Sequence, residues 1–116
     1  MACPDRRVLC LTADGSGMYT PQALWSMGRE VLNVTTVVFA NRAYAVLQRE
    51  YSYLGAGEPG PVASSMFEIC DPDLDWVLLA KSMGVPGSRP TSMDSFVDAL
   101  RESFASNGPT LIQVDV

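Results

Sequence analysis

The sequence contains no histidine. That absence removes Ser-His and Cys-His catalytic pairs, and the usual zinc sites, from what this chain can build alone. Cysteine is sparse: Cys3, Cys10 and Cys70 are odd in number and lack metal-ligand spacing, which suits reduced thiols and a cytoplasmic location. No apolar run approaches the length of a membrane span, and the opening MACPDRRVLC lacks the apolar core of a signal peptide. Basic residues are few, 8 against 13 acidic, and the net charge of −5 argues against non-specific binding to nucleic acid. Neither nucleic acid nor a membrane is an expected partner. No repeat, low-complexity segment or linker interrupts the 116 residues, which suffice for one domain.

What is present alternates between two periodicities. Residues 7–13, RVLCLTA, form a short and almost continuously apolar run, as expected of a strand covered on both faces. Thr20-Pro21 reads as the cap and first position of a helix that buries Leu24, Met27, Gly28 and Val31 and closes at Asn33. Residues 34–40, VTTVVFA, make a second β-branched strand. Strand, helix, strand is a βαβ unit, so the two strands should lie parallel. Residues 44–51 suit a short helix, and the glycine- and proline-rich residues 55–65 a loop. Asp71-Pro72 caps a further helix to about Met83, with Gly84 as its stop. A brief strand over 85–89 comes next. Ser92 then caps a helix with Phe96, Val97, Leu100 and Phe104 on its buried face, and residues 110–116 form a last strand. The expected class is a three-layer α/β/α fold with a largely parallel sheet.

The chemistry concentrates at two strand ends. Asp14 follows the first strand and Asn41 the second, so direct pairing would place them side by side at the carboxyl end of the sheet, where open α/β sheets bind ligands. A carboxylate and an amide oxygen are hard ligands suited to Mg²⁺ or Ca²⁺. Gly15-Ser16-Gly17 lets backbone amides approach a phosphate, and the helix from Pro21 would add its positive end. Together they suggest a metal-bridged diphosphate. Other candidates have ordinary explanations. The acids of DPDLD, residues 71–75, complement a helix start. Cys10 reads as a small core residue, and Trp25, Trp76, Phe96 and Phe104 as packing residues.

Asp14-Gly15, followed by 25 residues and then Asn41, resembles the thiamine-diphosphate signature, Gly-Asp-Gly, a spacer of similar length, then Asn-Asn. MYTPQALW, FANRAYAVLQRE, GAGEPGP and PDLDWVLLAKSMGV are similar to the C-terminal cofactor-binding domain of acetolactate-synthase-like enzymes, in the branch shared with benzoylformate decarboxylase. The resemblance implies thiamine diphosphate and Mg²⁺ as cofactors. It implies metal ligation by Asp14, by Asn41 and by the backbone carbonyl of Ala43. Gly15 and Ser16 would hold the diphosphate, with Tyr44 beside it. Leu47 stands where pyruvate decarboxylase places a catalytic glutamate and where benzoylformate decarboxylase also has leucine, so no catalytic residue is expected there. Two positions depart from the motif: Ala13 replaces its first glycine and Ala40 its first asparagine.

Family members carry a pyrimidine-binding domain and a middle domain ahead of this region, and the glutamate that activates the cofactor comes from the former. Residues 1–116 are thus expected to be a single, apparently truncated cofactor-binding domain that needs a pyrimidine-binding domain from another chain or an absent segment. A homo-oligomer is expected through an uncovered edge at the first strand. The implied function is the cofactor-binding segment of a 2-oxoacid carboligase or decarboxylase. The alternatives are a benzoylformate-decarboxylase-type lyase fragment and a non-catalytic binding module that keeps the fold. A nucleotide-binding domain of another kind is disfavoured by Asn41, because dinucleotide binders place an acid at that strand end.

Overall fold

Two β-branched strands occupy the middle of a four-stranded sheet, and the rest of the chain is arranged around them. The computed structural model describes residues 6–55 and 57–116; Cys3 lies outside them. Strands β1 (Val8–Ala13), β2 (Val34–Ala40), β3 (Gly87–Ser88) and β4 (Thr110–Asp115) line up in the order β1-β2-β4-β3. All neighbours are parallel, and β1 meets β2 from Val8 opposite Val34 to Ala13 opposite Phe39. The βαβ expectation holds.

Helices α2 (Ala23–Arg29) and α5 (Trp76–Ser82) cover one face, where Leu24, Trp76 and Ala80 pack on Val38, Val85 and Leu111. Helix α6 (Met93–Ala105) covers the other: the hydroxyl of its buried Ser103 bonds both Thr35, at 2.5 Å, and Thr110. The register places Thr35 and Thr110 opposite one another on that face. Three layers result.

Several local expectations are corrected. Strand β1 is the sheet edge, as expected, but it is not covered on both faces: Leu9 is 45% and Leu11 62% exposed. Helix α2 starts at Ala23 and not at Pro21, because Ala23 and Leu24 donate their N–H groups to the carbonyls of Thr20 and Pro21, at 3.0 and 3.1 Å, in a tighter turn. The same helix ends before Asn33. Val31 adopts φ +49° and donates to Gly28, while Leu32 donates to Met27, which is the Schellman closure with valine where glycine is usual. That turn leaves Val31 65% exposed rather than buried, and frees Asn33 to accept from the N–H of Gly108 at 2.9 Å.

Helix α3 (Ala45–Tyr53) forms near its expected place. Residues 61–65, read as loop, form the short helix α4 (Pro61–Ser65), since proline fits a first helical position. Asp75, not Asp71, caps α5, its side chain accepting from Leu78 N–H at 2.8 Å. The strand expected over 85–89 pairs only at Gly87 and Ser88. Ser92 caps α6 with a full capping box, as expected, but Phe104 is exposed, with Ser103 taking the inward position. Trp25 also faces solvent, with the Arg29 guanidinium over its ring at 5.4 Å.

Candidate functional site

The chain turns sharply after β1. Asp14 to Gly17 form one helical turn, α1 (Asp14–Gly17), in place of the expected open glycine turn. Two close approaches explain its glycines. A side chain at Gly15 would meet the Tyr44 ring at 2.8 Å, and one at Gly17 would meet the Trp76 ring at 2.6 Å. The glycines thus admit aromatic rings from both sides of the turn.

Asp14 is 2% exposed. Its Oδ1 accepts from the Gly15 N–H at 2.8 Å and its Oδ2 from the Arg42 N–H at 2.6 Å. Gly15's N–H is therefore turned to the Asp14 carboxylate. No cation among the described residues pairs with Asp14; the Arg42 guanidinium bonds Asp73 instead, at 3.2 Å. A carboxylate offers about four acceptor positions, and the backbone occupies part of them. A buried charge held this way is one that a cation would compensate.

Asn41 is exposed just past β2, and its Oδ1 accepts from Ala43 N–H at 3.1 Å. The orientation of Ala43 follows from the next contact. Ala43 faces Glu68 in an antiparallel bridge whose bonds are made by the flanking groups: Ile69 N–H to Arg42 carbonyl and Tyr44 N–H to Phe67 carbonyl, both 2.7 Å. Ala43's own carbonyl consequently points away from Glu68, and no donor among the described residues takes it. Two hard oxygens, of Asn41 and Ala43, thus flank Arg42, whose N–H ties in the Asp14 carboxylate from the neighbouring strand end, without any cluster of three acidic or thiol ligands among the described residues.

A cleft of about 190 Å³ gathers these elements. Its lining includes Ala13, Gly15, Ser16, Asn41, Ala43 and Tyr44, with Leu47 of α3 at one wall. Every site residue expected from the sequence lines it except Asp14, which lies buried beside it. The cleft also contains Tyr19, which sequence reasoning passed over. Arg42 was missed as well, since nothing in NRAY distinguishes a residue at φ +59°.

The carboxyl end of β4 is pinned separately. Buried Gln113 accepts from Trp76 N–H at 3.1 Å and donates to Asp115 at 3.0 Å, and Arg89 donates to both oxygens of Asp115 at 2.8 and 3.0 Å. The Arg89 hydrogen bonds hold the Asp115 carboxyl below its usual range, and Asp115 in turn holds the guanidinium protonated. The Cys70 thiol is pushed up by local desolvation and then by Glu68, which leaves it a poor nucleophile.

Fold and cleft together define an α/β domain that offers oxygen ligands at the carboxyl end of a parallel sheet. Residues 1–114 match the family model of the thiamine pyrophosphate enzyme C-terminal TPP-binding domain, and the chain belongs to that family. It is 51% identical over its whole length to IlvX of Mycobacterium tuberculosis, which carries the name of an acetolactate synthase large subunit, and spans 23% of it. It is 27% identical over 98% of its length to Pseudomonas aeruginosa benzoylformate decarboxylase, spanning 20% of that enzyme. Among solved structures, the thiamine diphosphate-dependent 4-hydroxybenzoylformate decarboxylase of Rhodococcus jostii superimposes on 99% of the chain with a TM-score of 0.86 and 32% identity, and the chain covers 20% of it. The chain therefore spans about a fifth to a quarter of the relatives it matches.

Proposed function

We propose that this domain holds the diphosphate end of thiamine diphosphate through Mg²⁺, as the cofactor-binding segment of a 2-oxoacid carboligase or decarboxylase. The observation that carries this reading is the grouping of Asp14, the Asn41 side-chain oxygen and the outward Ala43 carbonyl around one cleft. Asp14 and Asn41 supply hard oxygen ligands, and Ala43 supplies one that any residue type could provide. Ser16 is exposed at the cleft wall, where its hydroxyl can meet a phosphate oxygen, and Gly15 keeps that wall open for Tyr44.

When bound, thiamine diphosphate supplies the carbanion stabilisation that 2-oxoacid chemistry requires. The residues of this chain bind and orient. Leu47 gives the cleft an apolar wall, and among the described residues no histidine, glutamate or lysine lines the cleft to move a proton. Turnover accordingly needs a pyrimidine-binding domain, from another chain or segment. The acetolactate synthase reading rests on the 51% identity to IlvX. Leu47 favours a benzoylformate-decarboxylase-type lyase as the second reading.

The free thiols of Cys10 and Cys70 agree with a cytoplasmic location. The exposed edge at β1 favours a homo-oligomer, because Val8 points its N–H to Asn33 and strand alternation then turns the backbone N–H and C=O groups of Leu9, Leu11 and Ala13 away from β2.

Calorimetry with and without chelator tests the metal bridge. Thiamine diphosphate should bind weakly with Mg²⁺ and not after chelation, and Asp14→Ala should lose the metal-dependent part. Tight binding that ignores chelator would sink the proposal. Pyruvate and benzoylformate should not be decarboxylated by this chain alone.

A further inference from the structure

Arg42 is an arginine at φ +59°, a backbone conformation that L side chains rarely adopt. Such a residue persists when its surroundings over-determine it. Three contacts do so here. Its N–H holds Asp14 Oδ2 at 2.6 Å, its carbonyl accepts from Ile69 at 2.7 Å, and its guanidinium meets Asp73 at 3.2 Å. The first contact lies at the cleft and the other two lie on the segment that runs past it from Phe67 to Asp73. The left-handed turn is what lets one residue reach both.

We infer that Arg42 is a positioning residue that couples the order of this segment to the aim of the Asp14 carboxylate, and so tunes affinity for a divalent cation and its diphosphate. This rests on the metal-bridged reading above. The side chain does not line the cleft and acts through the backbone. The Arg42–Asp73 pair is half-exposed on both sides, so it contributes little to global stability. Its effect is on where the Arg42 N–H and Ala43 carbonyl sit. Arg42 is the link between Asp14, Ala43 and the bridge to Glu68: lose its tether, and nothing holds the turn at φ +59°, so that a side-chain-bearing residue drifts toward ordinary angles and a glycine toward any angle, and the donor leaves Asp14.

The test compares stability with binding in four proteins: Arg42→Gly, Arg42→Lys, Asp73→Asn and Arg42→Gly combined with Asp73→Asn. Glycine accepts φ +59° without strain, so Arg42→Gly should melt no lower than the parent. A purely structural residue would then leave binding unchanged. Instead, calorimetry of Mg²⁺ with thiamine diphosphate should show affinity reduced about threefold in Arg42→Gly and in Asp73→Asn, in the range of a half-exposed ion pair. Arg42→Lys should recover part of the loss. The double variant should lose no more than either single one, as expected for two partners of one contact.

Parent-like binding in Arg42→Gly, or additive losses in the double variant, would overturn the inference. Binding that ignores chelator in the parent would overturn the metal-bridged reading instead, which keeps the two failures apart.

Discussion

Strands β1 and β2 are neighbours of nearly equal length, and composition alone ranks them the wrong way round. VLCLTA is the more apolar word, yet Leu11 is 62% exposed; VTTVVFA carries two threonines, yet Val37 and Thr35 are wholly buried. The difference is place in the sheet. β2 has a strand on each side, α2 and α5 over one face and α6 over the other, while β1 has a strand on one side only. Burial of a threonine is tolerable when its hydroxyl is bonded, and Thr35 meets both Ser103 and the Arg7 guanidinium, the latter at 3.1 Å. Apolarity therefore marks a strand without saying how deeply the strand is buried.

The strongest way to break this comparison is to put a charge on each strand. Val37→Asp should cost more than about 4 kcal/mol, because it buries an unpaired carboxylate, and circular dichroism should find the chain unfolded. Leu11→Asp should leave the fold intact and abolish association through β1, so light scattering should show a monomer where the parent is larger. A folded Val37→Asp protein, or an unfolded Leu11→Asp monomer, would reverse the ranking of the two strands.

Truncation sharpens the same contrast more gently. Leu111, buried on β4 next to β2, should cost about 3 kcal/mol as Leu111→Ala, and lower the melting temperature by roughly 10 °C. Leu9→Ala on the edge should cost less than about 0.5 kcal/mol under conditions where the chain is monomeric. Equal losses would mean that β1 is covered in solution.

The smallest effect concerns pH at the carboxyl end of the sheet. The Asp115 carboxyl has a lowered pKa in the folded protein, through Arg89 first and Gln113 next. Its contribution is therefore fully present above the ordinary carboxylate value of about 3.9, and is lost as pH falls through the lower folded value. Solvent screening of this half-exposed pair keeps the contribution under about 1 kcal/mol. Denaturation of Asp115→Asn should thus lie slightly below the parent at pH 7 and converge with it in strong acid. A gap that widens below pH 4 would contradict the assignment.

Much of the site could be read before the fold was known. Asp14 and Asn41 are strand-end residues by local pattern, and parallel pairing of β1 with β2 brought both ends to one edge, with Ala43 and Tyr44 lining the cleft that forms there. The glycines were legible as necessary, but the rings packed against them were not, since Tyr44 and Trp76 arrive from distant segments. Arg42 and Gln113 were not legible. A left-handed arginine and a buried glutamine have no local signature, because each is held by partners far along the chain, Asp73 for one and Trp76 for the other.

By itself the sequence determined most of the longer elements, their alternation, the parallel pairing of the first two strands and which residues stand at their ends, because periodicity, β-branching and capping act over a few residues. Only the tertiary structure decided that Leu9 and Leu11 of the edge strand stay open to solvent and that the Ala43 carbonyl turns away from Glu68. It also decided that Arg42 ties Asp14 to the segment beside it. Each of those depends on which distant strand or bridge supplies the missing hydrogen bonds, and that is set by the order of strands in the sheet rather than by any neighbour in the chain.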